Sequence, residues 1–223
     1  MLTHMKRKVG SIIIILIVIG LLFVSVEFLS ISTPPTKKEA STSVITEEKR
    51  ESQEEVKQIE KEYVAYVVNQ KSDDVSFINL QTQEIIKTIP VGKEPHESVM
   101  ENGKVYVTNR ESNSVSVIDI ATNNVVETIK TSKDPHGIVV INKKIYVTHP
   151  AENAIRMINT ETKKEKDIEV GRNPHMIIKH PRKAQLFVTT TTDDNVAIVS
   201  TAVDSLFETM KVGEGPDGMG ITS

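Results

Sequence analysis

The sequence contains 223 residues, no cysteine, and 27 basic against 30 acidic side chains, which gives a net charge of −3. The lack of cysteine excludes disulfides, thiolate metal sites and lipid attachment at a lipobox cysteine. The charges are scattered and slightly acidic, so the sequence offers no basic stripe of the kind that binds nucleic acid, and we expect no nucleic-acid partner.

The N-terminus carries a long apolar run. Three basic residues, Lys6, Arg7 and Lys8, come directly before residues 9–26, which contain no charged side chain. This arrangement is typical of a transmembrane anchor or a signal peptide. No small-x-small cleavage site of the Ala-x-Ala kind follows, which favours a retained anchor over a cleaved signal. We therefore predict that residues 1–32 are a cytoplasmic basic flank and a transmembrane anchor, or a signal peptide, with the following chain outside the cell.

Residues 33–62 have a different composition. They begin with a Thr-Pro-Pro segment and continue with mixed acidic and basic residues, and their few apolar side chains cannot build a core. A partner-binding coiled coil would need several sustained heptads, which this segment lacks. We predict a charged spacer between the anchor and the domain that follows.

Residues 63–223 repeat. A four-residue phrase, which begins with an aromatic residue followed by valine, recurs at intervals of 40, 40 and 41 residues. Its four copies are Tyr66-Val67-Val68-Asn69, Tyr106-Val107-Thr108-Asn109, Tyr146-Val147-Thr148-His149 and Phe187-Val188-Thr189-Thr190. A fixed period of this length indicates an array of stacked supersecondary units.

Each unit contains four short segments rich in β-branched residues. In the second unit the aromatic phrase is followed by a polar turn, by strands predicted at residues 115–118 and 125–129, and by a corner at Pro135. A short apolar strand then begins at Gly137. Four short strands per 40 residues are typical of a propeller blade, whereas helical repeats would show a 3.6-residue periodicity.

The repeats resemble the YVTN-family β-propeller repeat, a module of exported bacterial and archaeal surface proteins. The resemblance covers residues 63–223 and rests on the aromatic phrase, the Ser-Val-Ser-Val-Ile-Asp segment at residues 114–119, and the Val-Gly…Pro-x-Gly corners. It implies an all-β fold, a β-propeller of about four 40-residue, four-stranded blades, preceded by the N-terminal anchor helix and the charged linker. The family is defined by its scaffold, so the resemblance does not specify a function.

The phase of the repeat bears on ring closure. The array begins on an aromatic strand at Tyr63 and ends on the strand of a proline corner, residues 215–222. We predict that this last strand pairs beside the first and closes four blades into a ring, which covers two exposed edges. A truncated array and one half of a dimeric ring stay open as alternatives.

One repeated position could carry chemistry. The residue after each corner proline is His96, His136, His175 or Asp217. In a propeller this corner leads into the innermost strand, so we expect the four side chains to converge at one mouth of the central channel. Three imidazoles and a carboxylate would suit a divalent transition metal such as Zn²⁺, Cu²⁺, Ni²⁺ or Fe²⁺. The Pro-His-Gly-Ile form at His136 also resembles corners of the virginiamycin B lyase propeller, which implies a channel-mouth metal and a catalytic histidine.

Simpler interpretations stand beside this one. Duplication copies turn residues, and a histidine after proline can simply bond a neighbouring carbonyl group. The four aromatic phrase residues are predicted to pack in the blade core rather than to form a stacking platform. The Asp73-Asp74 and Asp193-Asp194 pairs lack the spaced ligands of a calcium loop, so we predict hairpin turns there.

The sequence favours a non-enzymatic binding scaffold. We expect a membrane-anchored or secreted bacterial surface propeller whose partner is an extracellular protein, a cell-wall polymer or a small molecule, with membrane contact through the N-terminal helix. The alternative is a metal-dependent lyase or hydrolase that uses His96, His136, His175 and Asp217, with a divalent transition metal as cofactor. No nucleophile motif or glycine-rich phosphate loop points to an enzyme class.

Overall fold

The computed structural model describes residues 63–222. The predicted anchor and spacer at residues 1–62 lie outside the described residues. Within the described part, no helix has the length and apolar character needed to cross a membrane.

The described residues fold into fifteen β-strands, and a 3-10 turn at Pro150–Glu152 interrupts the hairpin between two of them. Sheet 1 contains β1 (Val64–Asn69), β2 (Asp74–Asn79) and β3 (Glu84–Pro90). Sheet 2 contains β4 (Pro95–Glu101), β5 (Lys104–Asn109), β6 (Ser114–Asp119) and β7 (Asn124–Lys130). Sheet 3 contains β8 (Ile138–Ile141), β9 (Lys144–His149), β10 (Ala154–Asn159) and β11 (Glu165–Glu169). Sheet 4 contains β12 (Pro174–Lys179), β13 (Gln185–Thr190), β14 (Asn195–Ser200) and β15 (Ser205–Lys211).

Within each sheet, consecutive strands pair antiparallel in chain order. The aromatic phrase lies on the second strand of sheets 2, 3 and 4 and on the first strand of sheet 1. The predicted all-β array of four repeated units is therefore confirmed. The first unit differs from the other three because it lacks the innermost strand that follows a proline corner.

Successive sheets pack face to face, with β1 near β4, β4 near β8, and β8 near β12. Three apolar clusters fill the spaces between sheets 1 and 2, sheets 2 and 3, and sheets 3 and 4. Tyr66, Tyr106 and Tyr146 each lie in the cluster between their own sheet and the next one. The prediction that these aromatic residues belong to the blade core is confirmed. Phe187, in the last sheet, is only half-buried.

The predicted ring closure is wrong for this structure. Residues 212–222 form no strand. Within the described residues, β1 lies at the edge of its three-stranded sheet and pairs only with β2. Four glycines within eight residues weaken the strand propensity of this segment. The segment lies instead on sheet 4, where the Met219 amide donates to the Met176 sulfur at 3.0 Å.

Candidate functional site at the histidine corners

Each proline corner is shaped by the residue before the proline. Glu94, Asp134 and Asn173 adopt left-handed backbone conformations with φ of 53°, 51° and 55°, and Gly215 occupies the same place with φ of 61°. A left-handed residue other than glycine is strained, so it persists only where neighbouring groups hold it. Because this conformation recurs at all four corners, it is a regular feature of the repeated turn.

A side chain from the neighbouring hairpin holds each corner in place. The amides of the four residues before the prolines donate to Asp or Asn side chains 20 or 21 residues earlier. The bonds are Glu94 to Asp73 at 2.8 Å, Asp134 to Asn113 at 3.0 Å, Asn173 to Asn153 at 3.1 Å, and Gly215 to Asp194 at 2.9 Å. Asp73 and Asp194 thus lie in hairpin turns, as predicted, and the structure adds that they anchor the corners.

The residues after the prolines leave the regular strand pairing. The register between β4 and β5 shifts between Pro95 and Ser98, and that between β12 and β13 shifts between Pro174 and Ile177. Such a bulge re-aims the side chains of the extra residues. In sheet 3 the strand begins only at Ile138, so His136 precedes it.

The three corner histidines lie in a row. The ring centroids of His96 and His136 are 3.8 Å apart, those of His136 and His175 are 3.9 Å apart, and those of His96 and His175 are 6.4 Å apart. Both neighbouring pairs are tilted by 46°. His136 is buried in the middle, His175 is half-buried, and His96 is exposed. We call these three residues the histidine row.

Asp217 joins the end of the row. Its Oδ1 lies 2.6 Å from Nδ1 of His175, and its side chain is largely exposed. The structure therefore brings together all four residues that the sequence analysis selected. The neighbouring rings are tilted against each other. In residues 63–222 no group of three or more His, Asp or Glu side chains is arranged to hold a metal ion. The metal site stays a prediction.

The row is electrically neutral at its centre. Burial, with smaller contributions from the neighbouring His96, His175 and Arg110, lowers the pKa of His136 to about 4. Burial also lowers the pKa of His96, with Arg110 and His175 contributing. Like charges at ring contact are unfavourable, so the neutral forms of His96 and His136 suit this contact.

Arg110 beside the row is already paired. Its Nε donates to Asp134 at 2.6 Å, and its second contact is with Glu94 at 3.4 Å. Both carboxylates belong to the left-handed residues of the corners, so the arginine links two successive corners. These two carboxylates balance the Arg110 charge beside the histidine row.

Threonine side chains fasten successive corners, a role that the sequence analysis missed. Thr108 Oγ1 accepts from the Glu97 amide at 3.0 Å and donates to the His136 carbonyl at 2.8 Å. Thr148 makes the same pair of bonds, to the Gly137 amide at 2.7 Å and the His175 carbonyl at 2.7 Å. The repeated threonine in the third place of the aromatic phrase was the signal that could have revealed it.

The last sheet repeats this fastening, and the first sheet breaks it. Thr189 accepts from the Met176 amide at 3.0 Å and donates to the Asp217 carbonyl at 3.1 Å. In sheet 1 the equivalent residue is Val68, which has no hydroxyl group. Each corner from His136 onward is therefore bonded to the sheet before it.

The innermost strands enclose a groove that begins at the corners. It has a volume of about 270 Å³ and is lined by residues 97–99 of β4, 138–140 of β8 and 177–179 of β12. We call it the inner groove. Glu97 is its acidic residue near the histidine row, and burial raises the pKa of Glu97 to about 7. At the other end of these strands, Lys179 pairs with Glu101 at 3.0 Å and joins β12 to β4.

The remaining histidines of the described part have structural contacts. The buried His149 ring lies 3.0 Å from the Thr131 hydroxyl through Nε2 and 2.9 Å from the Lys133 carbonyl through Nδ1. His180 Nδ1 accepts from the amides of Arg182 and Lys183 in an exposed turn. Neither belongs to the histidine row.

A family model described as YNCE-like beta-propeller matches residues 38–145. This match and the four packed sheets, which follow one another in chain order, together indicate the fold. The chain is a β-propeller protein. No curated protein sequence matches it.

Solved structures are similar to this chain over about two thirds of its length. Hydrazine synthase from Kuenenia stuttgartiensis matches with 26% identity and a TM-score of 0.61, covering 70% of this chain and 47% of that chain. A streptogramin B lyase matches with 14% identity and a TM-score of 0.58, covering 67% and 51%. The WD40 repeats of RRP9 match with 13% identity and a TM-score of 0.58, covering 68% and 46%. The propeller therefore spans about half the length of these structures, and the two matches of lower identity show the fold alone.

Proposed function

We propose that this protein is a YVTN-type propeller, membrane-anchored or secreted at a bacterial surface, that binds a ligand or partner at the histidine row and the inner groove. The observation that carries the proposal is the row itself: three imidazoles in contact, on residues that come just before the strand segments lining the groove. Scaffold needs do not explain it, because the fourth corner holds Asp217 at the same position.

The chemistry of the row suits binding. A neutral imidazole offers a hydrogen-bond donor and an acceptor together with flat apolar faces, and His96, whose ring contacts that of His136, is exposed. The side chains that hold the corners are tied to backbone amides, so the row is fixed before a ligand arrives. A site fixed in this way avoids part of the ordering cost of binding.

The enzymatic alternative, a metal-dependent lyase or hydrolase, has less support. No group of three or more His, Asp or Glu side chains in residues 63–222 is arranged to hold a metal ion, and no serine, threonine or lysine side chain among these residues hydrogen-bonds to an imidazole ring of the row. A streptogramin B lyase is one similar fold, at an identity that carries no inference about activity. Binding without catalysis is the function that this geometry supports best.

Small probes of different chemistry test the proposal. The full chain in lipid nanodiscs is exposed to a short amine, a carboxylate, a neutral sugar and Zn²⁺, and binding is followed by NMR. We expect at least one class to bind wild type and to bind the His96→Asn variant more weakly. His180→Asn, in an exposed turn, is the matched control and should bind as wild type does. Absence of binding by every class, or equal losses in the two variants, would contradict the proposal.

The cellular location has its own test. The proposal places the propeller outside the membrane because the apolar run at residues 9–26 follows three basic residues. Protease added to intact cells that express the protein should then degrade the propeller. Protection of the propeller until the cells are lysed would contradict an external location.

A further inference from the structure

Glu97 departs from the other repeats at its position. The residue directly after the corner histidine or aspartate is Glu97 at the first corner, Gly137 at the second, Met176 at the third and Gly218 at the fourth. Neither glycine nor methionine carries a charge, so the turn does not need a carboxylate. The acidic side chain at this one place requires another explanation.

The Glu97 carboxylate has no partner in the described part of the chain. No described side chain or amide donates a hydrogen bond to it, and it belongs to none of the ion pairs in residues 63–222. Its backbone is nevertheless fixed, since the Glu97 amide donates to Thr108 at 3.0 Å and its carbonyl accepts from the same hydroxyl at 3.3 Å. The carboxylate is therefore positioned and unpaired.

The surroundings of Glu97 are mainly apolar. The groove that Glu97 lines is otherwise formed mainly by apolar residues, among them residues 138–140 of β8 and Ile177 and Ile178 of β12. An unpaired carboxylate in such a place is costly when ionised, which agrees with its raised pKa of about 7. A positive charge brought by a ligand would remove that cost.

The other charged groups near the groove are already engaged. Lys179 lines the groove but pairs with Glu101 at 3.0 Å, and Arg110 near the histidine row pairs with Asp134 at 2.6 Å. Glu94 also contacts Arg110 at 3.4 Å, and Asp217 lies 2.6 Å from His175, so the carboxylate left for a ligand is Glu97. The complementary ligand charge is therefore positive.

The geometry points to a ligand class, an inference that rests on the proposed binding function. We propose that the inner groove binds a small ligand with one protonated amine on a short apolar body, the amine at Glu97 and the apolar part along Ile138, Val140 and Ile178. The groove of about 270 Å³ lies just below the roughly 300–1,000 Å³ of pockets for drug-sized molecules, so the ligand is small.

Three probes of equal length separate charge from apolar contact. Butylamine, 1-butanol and butanoate are titrated into the full chain in nanodiscs, and dissociation constants are taken from the methyl NMR signals of Ile138 and Ile178. We expect butylamine to bind about tenfold more tightly than butanol, a ratio that corresponds to one modest ion pair, and butanoate to bind most weakly. The preference for the amine should grow as the pH rises through 7 and Glu97 ionises.

Two variants assign the effect to Glu97. Glu97→Gln keeps the shape and removes the charge, so it should reduce butylamine binding to the level of butanol while leaving butanol binding unchanged. Glu127→Gln is the control, because it removes a carboxylate of β7 that pairs with Lys163 at 2.6 Å, away from the groove. This variant should keep the preference for the amine.

The inference is overturned by equal binding of amine and alcohol, by tighter binding of butanoate, by an amine preference that survives in Glu97→Gln, or by no binding of any of the three probes. These outcomes leave the proposed function standing when a probe of another class binds at His96. The proposed function itself fails only when no class of probe depends on the histidine row.

Discussion

At the scale of single residues, the corner chemistry is set by burial. His136 lies in the middle of the row and remains neutral because its surroundings exclude water, while its two neighbours contribute only smaller repulsions. Glu97 shows the opposite consequence of the same cause, because burial favours its protonated, neutral form. Both groups hold less charge near neutral pH than they would in water.

This difference predicts a pH effect on stability. Because the pKa of folded His136 is about 4 and that of the unfolded residue is about 6.5, the unfolded state takes up the proton first as the pH falls. His136 therefore lowers the free energy of unfolding between pH 6.5 and pH 4. Relative to His136→Asn, wild type should lose about 1–2 kcal/mol of stability between pH 7 and pH 5 in urea unfolding experiments.

Glu97 acts in the opposite direction over part of this range, which is why the variant comparison is needed. The folded state keeps the Glu97 proton up to about pH 7, so its contribution to stability falls as the pH rises from about 4.5 to 7. A pH-independent difference between wild type and His136→Asn would contradict the assignment of a neutral, buried His136.

The threonine that joins two corners gives a second prediction. Replacing Thr148 with valine keeps the size of the side chain but leaves the Gly137 amide without its acceptor and the His175 carbonyl without its donor. A buried polar group without a partner costs about 1–3 kcal/mol, so chemical denaturation should show a loss of that order. Thr128→Val, on the exposed β7, is the control and should change stability by less than about 0.5 kcal/mol.

At the scale of strands and turns, the glycine at the second corner is required by its neighbours. A Cβ atom on Gly137 would lie 2.6 Å from the carbonyl oxygen of His175 and 3.0 Å from the Ile177 side chain. The first contact is with backbone, which cannot rotate away. The close approach keeps His136 and His175 in successive corners in contact.

Gly137→Ala should therefore destabilise the protein by about 1–3 kcal/mol, the usual cost of overpacking, and should disturb the NMR signals of the histidine row. Gly218 offers a matched control because it holds the same place in the repeat, and a Cβ atom there would meet nothing within 4 Å. Equal thermal stability of the Gly137→Ala and Gly218→Ala variants would show that the close approach has no energetic weight.

The strands were predictable from the sequence because their signals are local. Alternating β-branched residues, and turns with Asp, Asn, Gly and Pro, recur at every unit, so the repeat itself checks each assignment. The convergence of His96, His136, His175 and Asp217 followed from the same reasoning, since equivalent positions in stacked sheets lie side by side.

The rest depended on distances that the sequence does not contain. Two of the imidazole rings in the row lie at the bulges after Pro95 and Pro174. These bulges are visible only in the strand register of the structure. Pairing of the C-terminal segment with β1 would join residues more than 140 positions apart, and no local signal decides such a contact. Glu97 was overlooked because its importance comes from the apolar strands around it.

At the scale of the whole molecule, stability is a sum over neighbouring sheets. Each apolar cluster joins two successive sheets, as in other repeat arrays where each unit contacts only its neighbours. A partly buried polar link also joins sheets 3 and 4. The Tyr146 hydroxyl donates to Asp204 at 2.6 Å, and Lys144 pairs with the same carboxylate at 2.6 Å.

Removing this hydroxyl should weaken the sheet 3–sheet 4 interface. Tyr146→Phe leaves the ring in place and removes one bond to a charged acceptor, so a loss of about 1.5–3 kcal/mol is expected from denaturant unfolding. The Tyr106 hydroxyl makes no hydrogen bond within residues 63–222, so Tyr106→Phe is the control and should cost clearly less. A similar loss in both variants would contradict the role assigned to Asp204.

The account as a whole rests on the claim that the histidine row and the inner groove form one binding site. Imidazole ¹⁵N NMR spectra of the full chain in nanodiscs, with and without butylamine, test this claim most directly. We predict that the nitrogens of His96 and His136 shift on addition of the amine, that those of His149 and His180 do not, and that Glu97→Gln abolishes the shifts. Equal shifts at all four histidines, or none at His96 and His136, would contradict it.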